Sequence, residues 1–274
     1  MKILIPVDFT ELSDFALGIV QNLAHYVDLN VHFIHVLKAP DDHMPGEDGC
    51  VSLSKDDQEK VDAAREQILV QIHDWISEVK CEYHLEVRAG DISKAILKYA
   101  DTHGIDMIVM GTDGTVNGAP RRTSKAAEIT RASSIPVLSL KCDRSHMSLN
   151  NILLITDLKE PRTHHMDLVK NLQKAFGATI HLGCVITPKS FLTTQELESR
   201  TQKFIENNGL ENVETHVHLD NNMENGVLHL SNKLHIDLIT IGTEEKTGLK
   251  YLFADKSVED IVNHLFKPVI TYRI

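Results

Sequence analysis

The residues of this chain with the clearest chemical use are two glycines set close behind an apolar run. Met107-Ile-Val-Met110 leads into Gly111-Thr-Asp-Gly114, and a polar segment carrying Arg121, Arg122, Thr123 and Ser124 follows. A strand that ends in closely spaced glycines ahead of a helix suits a phosphate. Backbone N–H groups point at the anion, and the helix N-terminus adds partial positive charge. Glycine serves where the backbone must come close to a ligand or take a positive φ. Arg121 and Arg122 offer charge to phosphate oxygens, and the Ser124 hydroxyl is a further donor. No Gly-x-Ser-x-Gly, His-Glu-x-x-His or Walker loop (Gly-x-x-x-x-Gly-Lys-Ser/Thr) is present, so no nucleophile with its base is read and no catalytic residue is assigned. Asp41-Asp42 and Asp56-Asp57 fall in a loop and at a helix start, where solvation or the helix dipole accounts for them.

Bulk properties narrow the function classes. The 274 residues are enough for one large or two modest domains. With 42% hydrophobic and 24% charged residues, the composition is that of a globular protein. A net charge of -11 argues against non-specific nucleic-acid binding and against an anionic membrane surface. No apolar run approaches the roughly 20 residues of a spanning helix, and the apolar N-terminal stretch is too short for a signal peptide. Cys50, Cys81, Cys142 and Cys184 lie far apart with no Cys-x-x-Cys, which fits a reduced, cytoplasmic protein. The 16 histidines are scattered; His164 and His165 are adjacent and point different ways on a helix, so no metal site is read.

The elements that must position the glycine loop occur twice. Lys2-Ile-Leu-Ile-Pro-Val-Asp8 resembles Asn151-Ile-Leu-Leu-Ile-Thr-Asp157, an offset of 149 residues that also carries His35-Val36 onto Cys184-Val185. Gly104-Ile-Asp-Met-Ile-Val-Met-Gly-Thr112 matches His235-Ile-Asp-Leu-Ile-Thr-Ile-Gly-Thr243 at an offset of 131, so the second half is shorter in its middle. Ile135-Pro-Val-Leu138 matches Lys267-Pro-Val-Ile270. Two homologous domains follow, 1–143 and 149–274, joined by a polar stretch without periodicity. Each reads as strands alternating with helices. Ile3–Val7 is a strand buried on both faces. The following helix, with Thr10 or Ser13 as cap, carries an apolar stripe at Phe15, Ile19, Leu23 and Val27. Val31–Val36 is the second strand and 40–51 a loop. Ser54 caps a helix running to Val79. Cys81–Val87, Asp106–Met110 and Val137–Lys141 are further strands; Ile92–Thr102 and Ser124–Arg131 are helices. In the second half, Thr194–Asn207 is the middle helix. Such alternation predicts a parallel sheet covered on both faces.

This arrangement resembles the universal stress protein family in its tandem two-domain form, over nearly the whole chain. The likeness rests on Asp8 and Asp157 ending the first strands, Val36 and Val185 closing the second, the Asp-x-Ile/Leu-x-x-x-Gly-Thr strand and the closing Pro-Val-Leu/Ile strand. It implies two consecutive doubly wound, Rossmann-like α/β domains related to the adenine-nucleotide α-hydrolases. Nucleotide-binding members hold ATP where the first and fourth strands diverge, which is also where a ligand is expected on physical grounds. The family's loop is Gly, two residues, Gly, nine residues, Gly, then Ser or Thr. Gly111 and Gly114 supply its first half. Counted back from Pro136, Thr123-Ser124 stand at its end, with Thr in place of glycine; counted forward from Gly114, Ser124-Lys125 do. The resemblance thus assigns Val7, Asp8, Val36, Gly111, Gly114, Arg121, Thr123 and Ser124 to ATP or a related adenine nucleotide in domain one. Asp8 has two readings: a hydrogen bond to ribose or adenine, or a cap on the following helix. Domain two keeps Gly242, but Glu245 replaces the second glycine and Asp255-Lys256 the Gly-Ser pair, so no nucleotide is expected there.

The expectation is a non-enzymatic regulatory module of the stress response. The closing strands Val137–Lys141 and Val269–Arg273 are sheet edges that invite pairing. The resemblance implies a pseudo-dimer of the two domains within one chain, with a homodimer and an unidentified protein partner also open. A nucleotide-dependent hydrolase or ligase of the α-hydrolase class is the rival reading. Those proteins carry a glycine-rich loop straight after the first strand, and Asp8-Phe-Thr-Glu-Leu-Ser13 has none. A scaffold with both pockets inactive is the third.

Overall fold

The computed structural model describes residues 1–38, 46, 49–51, 54–112, 115–116, 119–120, 125–158, 166–188, 190, 192–243 and 265–273. The chain forms two compact units, one built on Met1–Thr112 and the other on Met147–Ile274.

The first unit runs β1 (Lys2–Pro6), α1 (Glu11–Leu23), β2 (Asn30–Lys38), α2 (Lys55–Trp75), β3 (Glu82–Gly90), α3 (Ile92–His103) and β4 (Met107–Gly111). A short antiparallel hairpin, β5 (Thr115–Val116) and β6 (Ala119–Pro120), was not anticipated. Helix α4 (Lys125–Ala132) and β7 (Val137–Leu140) follow. The second unit runs β8 (Asn151–Ile155), α5 (Met166–Phe176), β9 (Thr179–Ile186), α6 (Thr194–Asn208), β10 (Val213–Leu219), α7 (Met223–Lys233), β11 (Leu238–Thr243) and β12 (Val269–Arg273). The first unit orders its parallel strands β3-β2-β1-β4. The second orders them β10-β9-β8-β11-β12, also parallel. Both are the doubly wound α/β arrangement that the alternation of elements predicts.

Strands buried on both faces explain the continuous apolar runs. Leu4, Ile34, Val36, Ile108 and Met110 form one core with Ile96 of α3 and Ile129 of α4. Residues of the opposite parity, Ile3, Ile5, Phe33 and Val109, are equally buried; on that side Phe33 meets Trp75 of α2 edge-on at 5.9 Å. The Trp75 indole N–H donates to Asp14 of α1 at 2.7 Å and ties the two helices together. Helix α2 stops at Trp75, short of the Val79 expected, and α1 stops at Leu23, so Val27 lies beyond its stripe. The cap at Ser54 is the one expected, and three others were not read in advance. Ser54 accepts from the Asp57 N–H, Asp91 from Lys94, Asn222 from Asn225, and Thr193 forms a full capping box with Glu196.

The same latch closes each unit. The Lys2 N–H donates to the Asp106 carboxylate at 2.7 Å, and the Asp106 N–H returns to the Lys2 carbonyl at 2.9 Å. In the second unit the Asn150 and Asn151 N–H groups both donate to Asp237 at 2.9 Å, and Asp237 N–H returns to the Asn151 carbonyl. The Asp of the Ile-Asp motif therefore fixes the first strand against the fourth. The closing prolines complete the register: the Ile108 N–H donates to Pro136 at 2.9 Å and the Ile239 N–H to Pro268 at 3.0 Å.

One histidine lies deep in the first core. His32 is 4% exposed. Its Nδ1 lies 2.8 Å from the Tyr99 hydroxyl, and the rings of His84 and His103 stand 4.6 and 5.9 Å away. Burial, helped by the positive potential of His84, His103 and Lys2, pushes the His32 pKa down from 6.5 to about 4. Between those values the unfolded chain binds a proton that the folded chain refuses. The stabilising contribution is thus complete above pH 6.5 and is lost as the pH falls toward 4. Urea unfolding at pH 4.5 and at pH 7 should show the unmodified chain losing more stability on acidification than His32→Gln, by on the order of 2 kcal/mol. Equal losses would remove His32 as the cause.

Candidate functional site

The carboxyl ends of β1 and β4 lie side by side. Their register pairs Leu4 with Ile108, so Asp8 and Thr112 leave the sheet at matching levels. From β1 the chain crosses to β2 on one side and later returns to β4 on the other. That reversal leaves a crevice at the strand ends, the place where doubly wound sheets take ligands.

Asp8 sits at the mouth of this crevice. Its Oδ1 accepts from the Thr10 N–H at 3.0 Å, the Thr10 hydroxyl at 2.6 Å and the Ser13 hydroxyl at 2.7 Å. The Ser13 oxygen in turn accepts from the Asp8 N–H at 3.0 Å. Thr10, one of the two cap candidates, is the N-cap residue of α1, but its side chain makes no cap bond; Asp8 braces the approach to the helix by accepting from the Thr10 N–H and from the Thr10 and Ser13 hydroxyls. Burial opposes ionisation of Asp8, but the hydrogen bonds from Thr10 and Ser13 outweigh it and hold the carboxyl below its usual range. An ionised carboxylate repels phosphate and accepts from a hydroxyl or an amine, so this corner suits the nucleoside end of a nucleotide.

Val7 is buried, and its backbone is fully used: its N–H donates to Ile34 at 2.8 Å and its carbonyl accepts from His35 Nδ1 at 2.7 Å. Val36 is 9% exposed on β2 and pairs in register with Arg88 of β3. Gly111 is explained by packing. A Cβ there would lie 2.4 Å from the Leu12 carbonyl oxygen and 2.6 Å from the Leu12 Cβ. The first turn of α1 thus comes down onto the end of β4, and only glycine leaves room. Gly114, Arg121, Thr123 and Ser124 lie outside the described residues, as do Asp113, Glu245 and Asp255.

Two features of the crevice were not foreseen. Phe9 has φ 58°, left-handed backbone that costs a non-glycine residue roughly 1–2 kcal/mol. Its counterpart Leu158 has the same φ of 58°. Strain repeated at both strand ends marks a place where position matters more than comfort. Neither Phe nor Leu signals it in the sequence. The second feature is Thr112. It is 3% exposed, and its hydroxyl has no hydrogen-bond partner among the described residues. A buried hydroxyl left unpaired costs about 1–3 kcal/mol. The repeated Gly-Thr was the one available signal, since Thr243 stands at the same place in the second half.

The doubly wound sheet with a crevice at its strand reversal places this chain among the Rossmann-like α/β proteins. The profile of the universal stress protein family matches residues 1–141, and the chain belongs to that family. Among solved structures it is similar to a universal stress protein from Archaeoglobus fulgidus DSM 4304. The TM-score is 0.74 at 18% identity, over 99% of this chain and 96% of that one. A functionally unknown protein from Pseudomonas aeruginosa PAO1 gives 0.66 at 16% identity, over 99% and 92%. At such identities the likeness concerns the fold alone. Comparison with curated proteins returns no match.

The close approach at Gly111 is directly testable. The atom in the way is a backbone oxygen, so it cannot swing aside as a flexible side chain would. Gly111→Ala should destabilise the chain by about 1–3 kcal/mol in chemical denaturation. A loss under about 0.5 kcal/mol, the ordinary effect of a surface change, would mean that the start of α1 is free to lift off β4.

Proposed function

We propose that this protein is a cytoplasmic regulatory module of the stress response that holds an adenine nucleotide in the crevice of its first unit without turning it over. The observation that carries this reading is the pairing, at one strand reversal, of an ionised Asp8 with a buried Thr112 hydroxyl that has no partner among the described residues. The carboxylate offers an acceptor for a ribose hydroxyl or the adenine amine. The Thr112 hydroxyl sits where the chain enters the glycine loop and would gain its missing bond from a polar ligand. By the family resemblance the phosphates would fall to the Gly111-Thr-Asp-Gly114 segment with Ser124 and Arg121. Val7 and Val36 would flank the base, Val36 through its backbone. The second unit would bind no nucleotide, because Glu245 stands where phosphate oxygens would come.

Equilibrium binding of a fluorescent ATP analogue tests this. Gly114→Glu should weaken binding at least tenfold, through loss of charge-assisted contacts worth ~1.5–3 kcal/mol each, and Glu245→Gly should leave it unchanged. Binding that survives Gly114→Glu would put the ligand elsewhere. No binding by the unmodified chain would leave the crevice a packing feature and overturn the proposal.

Holding without turnover follows from what hydrolysis requires: charge neutralisation on the γ-phosphate, an oriented water and usually a held Mg²⁺. Asp113 is the one acid in the sequence of the loop itself, and an Asp in such a turn commonly bonds its own backbone. Phosphate release by highly purified protein should stay well below the ~1 s⁻¹ at the low end of ordinary enzymes. A rate at or above that level, abolished by Asp113→Asn or Ser124→Ala, would make the protein an enzyme.

A further inference from the structure

The second unit brings His181 beside Glu214 and His216 of a later strand. Strands β9 and β10 pair with His181 opposite Glu214. Side chains alternate along a strand, so Glu214 and His216 project from the same face of β10. His181 Nδ1 lies 3.0 Å from His216 Nε2 and 3.6 Å from Glu214 Oε2, and His216 Nε2 lies 3.8 Å from the same oxygen. Among the described residues this is the one trio of metal-ligating side chains whose donor atoms all lie within 4.8 Å of one another. Tetrahedral zinc with bonds near 2.0–2.1 Å places its ligand atoms about 3.3–3.4 Å apart. The observed triangle straddles that value.

The surroundings of His181 select its tautomer. Its Nε2 faces the Asn151 side-chain oxygen at 3.1 Å. A proton on Nε2 satisfies that contact and leaves the Nδ1 lone pair directed at Glu214 and His216, as an outer partner orients a ligating histidine. The first unit shows what happens without this freedom. His32 occupies the same position of β2 and faces His84 across β3, as His181 faces Glu214. Its Nδ1 is taken by the Tyr99 hydroxyl at 2.8 Å. The repeat places Leu230 where Tyr99 stands, and leucine cannot make that bond. The duplicated imidazole is thus tied to a phenol in one unit and turned toward a carboxylate and a second imidazole in the other.

We propose that His181, Glu214 and His216 form a binding site for one divalent zinc-class ion in the second unit. Two imidazoles and a carboxylate suit zinc among the common cations. His181 is buried at the base, with 8% of its side chain exposed, while Glu214 is 63% exposed at the rim. Solvent supplies the fourth position. Strand β10 ends the strand order of this unit, so the ion would clip it to β9.

The test uses the full chain, stripped with a chelator and titrated with zinc against a chromophoric competitor. One equivalent should bind with a dissociation constant of about 1 µM or tighter, and zinc should raise the melting temperature. Glu214→Gln and His216→Ala should each weaken binding at least tenfold and abolish the thermal shift, and both positions are exposed enough for the variants to fold. His84→Ala, at the matching strand of the first unit, should change neither. If zinc binds weakly, or as tightly to His216→Ala as to the unmodified chain, the histidines bind it adventitiously and the proposal fails.

Discussion

The adjacency of the first and fourth strands is the constraint on which the rest of each unit depends. A parallel strand cannot be reached by a tight turn, so the chain must leave β1, build β2 and β3 on one side, and return to the other. What holds the returning strand in register is a reciprocal pair of bonds between Lys2 and Asp106, repeated by Asn151 and Asp237. Each aspartate satisfies strand-start N–H groups that the sheet would otherwise leave unpaired. The crevice at the opposite end of these strands exists because this pairing is fixed. The Asp of the Ile-Asp motif therefore belongs to the frame and not to the site, although the motif runs straight into the Gly-Thr that does face it.

At the crevice, three demands meet within a few residues. Helix α1 descends onto β4 and excludes any side chain at Gly111. Asp8 gathers the donors at the start of that helix. Phe9 bends through left-handed backbone to join them. These are the features of a preorganised corner, in which the polar groups are placed before any ligand arrives. Among the described residues, Thr112 is the group that this organisation leaves without a partner.

Much of the architecture could be read directly from the chain. Runs such as Ile3-Leu-Ile show strands buried on both faces, and the pair of offsets shows the duplication. Ser54 announces its helix because capping is a local matter. Other features depend on contacts that no short window contains. Helix α2 ends at Trp75 because packing on Phe33 and Asp14 decides its useful length. Thr10 holds the N-cap position as expected, but its hydroxyl is turned to the Asp8 carboxylate, which lies within reach only in the folded turn. The trio of His181, Glu214 and His216 escaped the sequence because His181 and His216 meet only through the register of β9 with β10. Glu-x-His on an alternating strand was the one hint, and it needs a partner strand to mean anything.

The twin left-handed residues bear on how the two halves have diverged. A chain selected for stability alone would drift toward glycine at both places, since glycine takes that backbone at no steric cost. It has kept Phe9, whose ring lies 5.5 Å from that of His35, and Leu158, which is buried. Two different side chains have thus been accepted on one unfavourable backbone, through a duplication that changed the loop beyond them. What has been inherited is the path of the main chain at the lip of each crevice, and the residues are interchangeable anchors for it.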